Sequence, residues 1–130
     1  MLVIGDAALT LAARGTYAHR YDLGTEWKAW TGLPFVFAVW AARRSADASA
    51  VRRGHQALLS SRAWGLAHLA ELATGAAHAT GLPLEACREY LAGLDYALTY
   101  KHLAGLTDFF GRLAARGLVP DGSLQFLHVA

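Results

Sequence analysis

Ten consecutive residues without a charge, Leu33-Pro-Phe-Val-Phe-Ala-Val-Trp-Ala-Ala42, constrain this chain more than any other stretch. Phe35 to Trp40 are aromatic or β-branched at all but one position, and they show no polar alternation. That pattern predicts a strand covered on both faces rather than one with a wet side. Gly32 and Pro34 stop whatever helix precedes it, and Arg43-Arg44 closes it. The run is about half the ~20 residues that a membrane-spanning helix needs.

Around it the chain is lopsided. Leu2-Val-Ile4 reads as a short buried strand, Asp6 as the N-cap of a helix over Ala7–Arg14, and Gly15 as its end. His19–Leu23 is a weaker strand candidate, and Gly24–Trp30 a short helix with Trp27 and Trp30 on one face. Leu2 to Leu23 could form one βαβ unit. After Ser45 only helical spacing remains, over Asp47–Ser61, Trp64–Thr80, Leu84–Leu91 and Tyr100–Arg116, with Gly81, Gly93 and Gly117 between or after them. The last of these carries an apolar face of Leu103, Leu106, Phe109, Phe110 and Leu113. Pro120-Asp-Gly122 predicts a turn, and Leu124–Val129 a short terminal segment. Two or three strands followed by about four helices predict part of an α/β domain, because a doubly covered parallel sheet usually wants four or more strands.

Composition removes several function classes. Twelve basic and ten acidic residues leave a net charge of +2, and the basic pairs Arg43-Arg44 and Arg52-Arg53 are too little for a nucleic-acid footprint. One cysteine, Cys87, cannot form an intrachain disulfide and fits a reducing compartment. Met1-Leu-Val-Ile4 is too short and lacks the basic start of a signal peptide, so a cytoplasmic protein is expected.

Chemical motifs are sparse. His68, Glu71 and His78 are the nearest thing to a metal cluster, but His78 is ten residues from His68 and no zinc-type spacing exists, so no metal is expected. There is no Gly-x-Ser-x-Gly, no phosphate loop, and Ser60-Ser61 has no acidic neighbour. Asp6, Asp22 and Glu26 are the carboxylates near strand ends. Gly5-Asp6-Ala7 would sit at the carboxyl edge of a sheet, where a helix N-terminus offers free N–H groups to an anion. Asp6 as a plain helix cap is the competing reading. Trp27, Trp30 and Trp40 could line a ring-binding pocket or simply fill the core.

Certain stretches resemble a known enzyme family. Leu2-Val-Ile-Gly-Asp-Ala-Ala-Leu9, Tyr21-Asp-Leu-Gly24, Glu26-Trp-Lys28 and Trp30-Thr-Gly-Leu-Pro-Phe-Val-Phe-Ala-Val-Trp-Ala-Ala-Arg-Arg44 are similar to the menaquinone-pathway chorismate dehydratases of the futalosine route. Leu94-Asp-Tyr96 and Gly105-Leu106-x-x-Phe109 fit more loosely. The sister 1,4-dihydroxy-6-naphthoate synthases share Asp-Leu-Gly, a Trp and Thr-Gly-Leu-Pro, but resemble the chain less after Pro34.

The resemblance implies a hydro-lyase that converts chorismate to 3-[(1-carboxyvinyl)oxy]benzoate without a cofactor. It implies the C-terminal portion of a two-lobed α/β fold like that of type II periplasmic binding proteins. Residues 1–34 would then end the second lobe, and 35–130 would supply a crossing strand and the helical part of the first. The substrate-binding positions that carry over are Gly5, Asp6, Pro34 and Phe35; no catalytic acid or base does. The family's N-terminal half, with its Asn and its Ser/Thr-Arg-Thr loop, has no counterpart. The expected partners are therefore chorismate and the absent half or a second chain, with neither nucleic acid nor membrane. A non-catalytic solute-binding module and a partner-dependent helical fragment are the alternatives outside the enzyme class.

Overall fold

Phe35–Trp40 forms neither helix nor strand, and none of the described residues pairs with its backbone. The computed structural model describes residues 1–122 and Phe126, so the expected segment Leu124–Val129 lies, apart from Phe126, outside the described residues. All six elements among the described residues are helices: α1 (Asp6–Arg14), α2 (Leu23–Thr31), α3 (Ala48–Ala67), α4 (Leu69–Thr80), α5 (Leu84–Gly93) and α6 (Tyr100–Ala115). The expected α/β fold with short parallel strands is thus not formed, nor is the periplasmic-binding-protein-like architecture that the resemblance implied.

The physical reason is the ladder. A strand exists only where a neighbour takes its N–H and C=O groups, and residues 34–42 make no backbone hydrogen bond among the described residues. Leu2 and Ile4 stand 80% and 89% exposed, so the first strand candidate is not buried against anything. In the second, Asp22 is diverted to capping α2, where its carboxylate accepts from the Thr25 N–H at 2.8 Å.

The chain divides into two compact units, Met1–Arg20 with Gln56–Tyr96, and Tyr21–His55 with Ala97–Ala130. In the first unit α4 packs on α5. Ala73 and Cys87 are its buried side chains, and the Thr80 hydroxyl lies 4.0 Å from the Cys87 sulfur. Gly5, not Asp6, is the N-cap of α1, with φ 70° and ψ −152°, and no side chain caps the helix. That conformation is open essentially to glycine alone, which is why the residue before Asp6 has no side chain.

In the second unit Trp27 on α2 is the buried centre, 8% exposed. Its ring meets those of Trp30, Phe35 and Phe109 edge-on at 5.7–5.8 Å, and Phe35 meets Phe109 at 5.1 Å. Such T-shaped contacts contribute about 0.5–1.5 kcal/mol each beyond the area they bury. Phe35 therefore finds aromatic partners from α2 and α6 in place of a neighbouring strand. Gly105 is buried in α6, and a Cβ there would collide with the Pro34 carbonyl oxygen. The absence of a side chain lets α6 lie directly on the Leu33–Phe35 backbone.

The helices after Ser45 follow the predicted spacing with one shift. A break was expected between Ser61 and Trp64, but α3 runs on to Ala67 and the chain turns at His68 instead. There the His68 ring stacks on Trp64 at 4.3 Å, with its Nδ1 2.7 Å from the Trp64 carbonyl oxygen. Asp47 starts α3, its carboxylate accepting from the Ser49 hydroxyl and the Ala50 N–H at 2.5 and 2.9 Å. At the start of α6 the direction is reversed: His102, inside the first turn, accepts at Nδ1 from the N–H of the cap residue Thr99 at 3.2 Å. No helix among the described residues is long and apolar enough to cross a membrane.

Candidate functional site

The first unit holds a cavity of about 390 Å³ whose walls come from α1, α4, α5 and the segment after α1. Leu9, Ala12 and Ala13 face it from α1; Ala76 and Thr80 from α4; Cys87, Tyr90 and Leu91 from α5. The spacings explain the grouping. Ala76 and Thr80 are one helical turn apart, as are Cys87 and Leu91, so each helix presents a single short stripe. The walls are apolar, and a few polar groups punctuate them: Asp6 at the start of α1, Arg20, Thr80 and Tyr90. That composition and size fit the usual small-molecule site, apolar with a few orienting polar groups.

Not all of those groups are available to a ligand. The Thr80 hydroxyl donates to the Ala76 carbonyl at 2.7 Å and accepts from the Leu82 N–H at 3.3 Å, so it is engaged in ending α4. Cys87 is a free, buried cysteine that contributes to the wall of the cavity. Asp6, Arg20 and Tyr90 are solvent-accessible. No ion pair joins Asp6 to Arg20 among the described residues, which leaves the guanidinium open to an incoming anion.

The four residues expected to bind substrate part company. Asp6 lines this cavity, and Gly5 precedes it as the helix cap. Pro34 and Phe35 belong to the second unit, where one supplies the carbonyl against Gly105 and the other an aromatic ring to the core. Of the tryptophans, Trp27 is core, while Trp30 and Trp40 are 65% and 84% exposed. Arg112 lies over the Trp30 ring at 4.2 Å and is held there by Asp108 at 2.7 Å. The Trp27 indole N–H is buried and has no hydrogen-bond partner among the described residues.

Arg20 and Tyr90 went unnoticed in the sequence. Arg20 stands in a loop with no periodicity to mark it, and Tyr90 reads as one more aromatic on an amphipathic helix. No group of three or more His, Cys, Asp or Glu side chains among the described residues could hold a metal ion. His68 is occupied at the turn between α3 and α4, as described above.

Comparison with known proteins decides the family. The profile of a family described as menaquinone biosynthesis matches residues 1–115, nearly the whole chain. The chain belongs to that family. It is also 39% identical over 88 residues to the chorismate dehydratase of Thermus thermophilus, an alignment covering 68% of this chain and 32% of the relative. The chain thus spans about a third of the length of this curated relative. No solved structure matches it.

Proposed function

We propose that the chain contributes part of a lyase of the chorismate dehydratase type, which removes water from chorismate to give 3-[(1-carboxyvinyl)oxy]benzoate for menaquinone synthesis. The observation that carries this reading is the family match over residues 1–115, with the identity to a chorismate dehydratase beside it. The cavity of the first unit supports it in chemistry. Chorismate is a small ring bearing two carboxylates. Leu9, Leu91 and the alanines offer apolar walls to the ring, and the Arg20 guanidinium offers a charge-assisted pair to one carboxylate.

The elimination itself asks for more. It needs a base for a ring proton, assistance to the departing hydroxide and a second carboxylate clamp, each acting more strongly in the transition state than on bound substrate. The cavity presents one cation and one accessible carboxylate, Arg20 and Asp6. The remaining groups are expected from the part of the family that this chain does not span.

The test is chorismate turnover, with product followed by mass spectrometry. The chain is assayed alone and after mixing with the unmatched two thirds of the Thermus thermophilus relative. Product from the mixture, with little from the chain alone, is the expected result. Substantial turnover by the chain alone would overturn the divided site, and no product in either arm would overturn the proposal. Ligand-observed NMR adds a second readout: chorismate signals should broaden with the wild-type chain and lose that response in Arg20→Gln.

A further inference from the structure

We infer that Tyr90 reads the hydroxyl of the substrate ring, its phenolic O–H donating a hydrogen bond to that oxygen in the cavity of the first unit. The assignment rests on the chorismate function proposed above, and it adds the group that tells substrate from product. Loss of water removes the ring hydroxyl and leaves both carboxylates in place. A site that recognised carboxylates alone would therefore hold the two molecules alike, whereas a site with a donor for the hydroxyl disfavours the molecule that lacks it.

Burial grades the cavity wall. Cys87 is 5% exposed, and Leu9, Ala76, Thr80 and Leu91 are half-buried. Asp6, Arg20 and Tyr90 are the exposed polar groups. The apolar part of the wall is thus withdrawn from water, and the charged and hydroxyl groups remain in contact with it. Cys87, Tyr90 and Leu91 fall at i, i+3 and i+4 on α5, which puts them on one face of the helix. Tyr90 therefore stands beside the apolar side chains that a ring would lie against. At 49% exposure it is divided as tyrosines commonly are, with an apolar ring body and a polar tip.

A ring hydroxyl moved out of water needs a donor that no other contact has taken. Thr80 has one hydroxyl proton and gives it to the Ala76 carbonyl at 2.7 Å. The Cys87 thiol is a weak donor whose sulfur lies 4.0 Å from the Thr80 hydroxyl. A carboxylate at Asp6 only accepts. Arg20 is the one cation among the described residues of the wall, and its planar fork is matched to a carboxylate. Tyr90 is left. It makes no hydrogen bond or ion pair among the described residues. Its O–H can turn to a ligand without breaking any bond within the protein.

Dissociation constants of the full chain for chorismate and for 3-[(1-carboxyvinyl)oxy]benzoate, each titrated by ligand-observed NMR, test the assignment. The wild-type chain should bind both. Tyr90→Phe keeps the ring in the wall and removes only the hydroxyl. It should weaken chorismate binding about 3- to 10-fold, the worth of one hydrogen bond, and leave the affinity for the product unchanged. Arg20→Gln should weaken both ligands alike, because both carry the carboxylates. Circular dichroism checks that each variant keeps its helices. Equal weakening of the two ligands by Tyr90→Phe, as a purely structural role would give, overturns the role of Tyr90, and so does weakening of neither. Selective loss of chorismate in Arg20→Gln would overturn it too, by moving the hydroxyl contact to the guanidinium. In these three cases the wild-type chain still binds, and the proposed function stands. Binding of neither ligand by the wild-type chain would overturn the chorismate cavity itself and the role of Tyr90 with it.

Discussion

Adding one methyl group to Gly105 should destabilise the second unit even though it improves the helix. Alanine in place of glycine in a helix interior is favourable by about 1 kcal/mol. At position 105 the new Cβ would fall on the Pro34 carbonyl oxygen, with the Leu33 Cβ also near it. The obstacle is main chain, so no rotamer change relieves it; α6 and the Leu33–Phe35 backbone must separate. Overpacking of this kind costs about 1–3 kcal/mol or somewhat more, and separation also loosens the Phe35–Phe109 and Trp27–Phe109 contacts. Taking the upper part of that range against the helix gain leaves a net loss of about 2 kcal/mol. Urea unfolding followed by tryptophan emission and by circular dichroism measures it. With a slope of ~1–3 kcal/mol per molar, the midpoint should fall by about 1 M. Gly111→Ala is the control: it lies in the same helix with nothing within 4 Å of its Cβ position, and should raise stability by about 0.5–1 kcal/mol. If Gly105→Ala is as stable as wild type, or tracks Gly111→Ala, the close approach of Pro34 to α6 is refuted.

Three further outcomes follow from single features. Gly5→Ala meets open space but must hold φ 70°, and should cost about 1–3 kcal/mol in a thermal melt; unchanged stability would contradict the assigned cap. Arg112→Met removes the cation over Trp30 while keeping its apolar stem. The loss should be about 0.5–1 kcal/mol, with a change in tryptophan emission, and an unaltered spectrum would argue against the stack. The Asp47 carboxyl is held below its ordinary range, first by the Ser49 hydroxyl and then by the Ala50 N–H. Its contribution to α3 is present above the unfolded value and is lost as pH falls through the lower folded one. An NMR titration of the Asp47 side chain should find a depressed midpoint, and Asp47→Asn should keep the cap while removing that part of the acid sensitivity.

Helices were legible where local signals and burial agree. Asp22 three residues before Thr25, and the 3.6-period face on α6, hold for reasons that lie within a few residues of each other. The break placed at Ser61–Trp64 failed because serines weaken a helix only slightly. The actual turn rests on one ring, His68 on Trp64, that no composition window registers. Strands were misread for a different reason. Phe35–Trp40 has the composition of a buried strand, but pairing is a property of two segments, and composition describes one. The candidate cavity is half legible: Asp6 stands out in the sequence, whereas Tyr90 reaches the cavity through the packing of α5 on α4, and Arg20 through a segment after α1 that carries no local signal.

The uncovered Phe35–Trp40 segment also bears on the handling of this protein in concentrated solution. Six residues of high β propensity with no charge and no proline meet the composition of a steric zipper. One end is guarded by Arg43-Arg44, which acts as an electrostatic gatekeeper against stacking in register; the other end is flanked by Pro34, with no charge nearer than Lys28. Salt that screens the arginines removes the guard while leaving the apolar attraction intact or stronger. Stacking along this segment should therefore quicken as ionic strength rises.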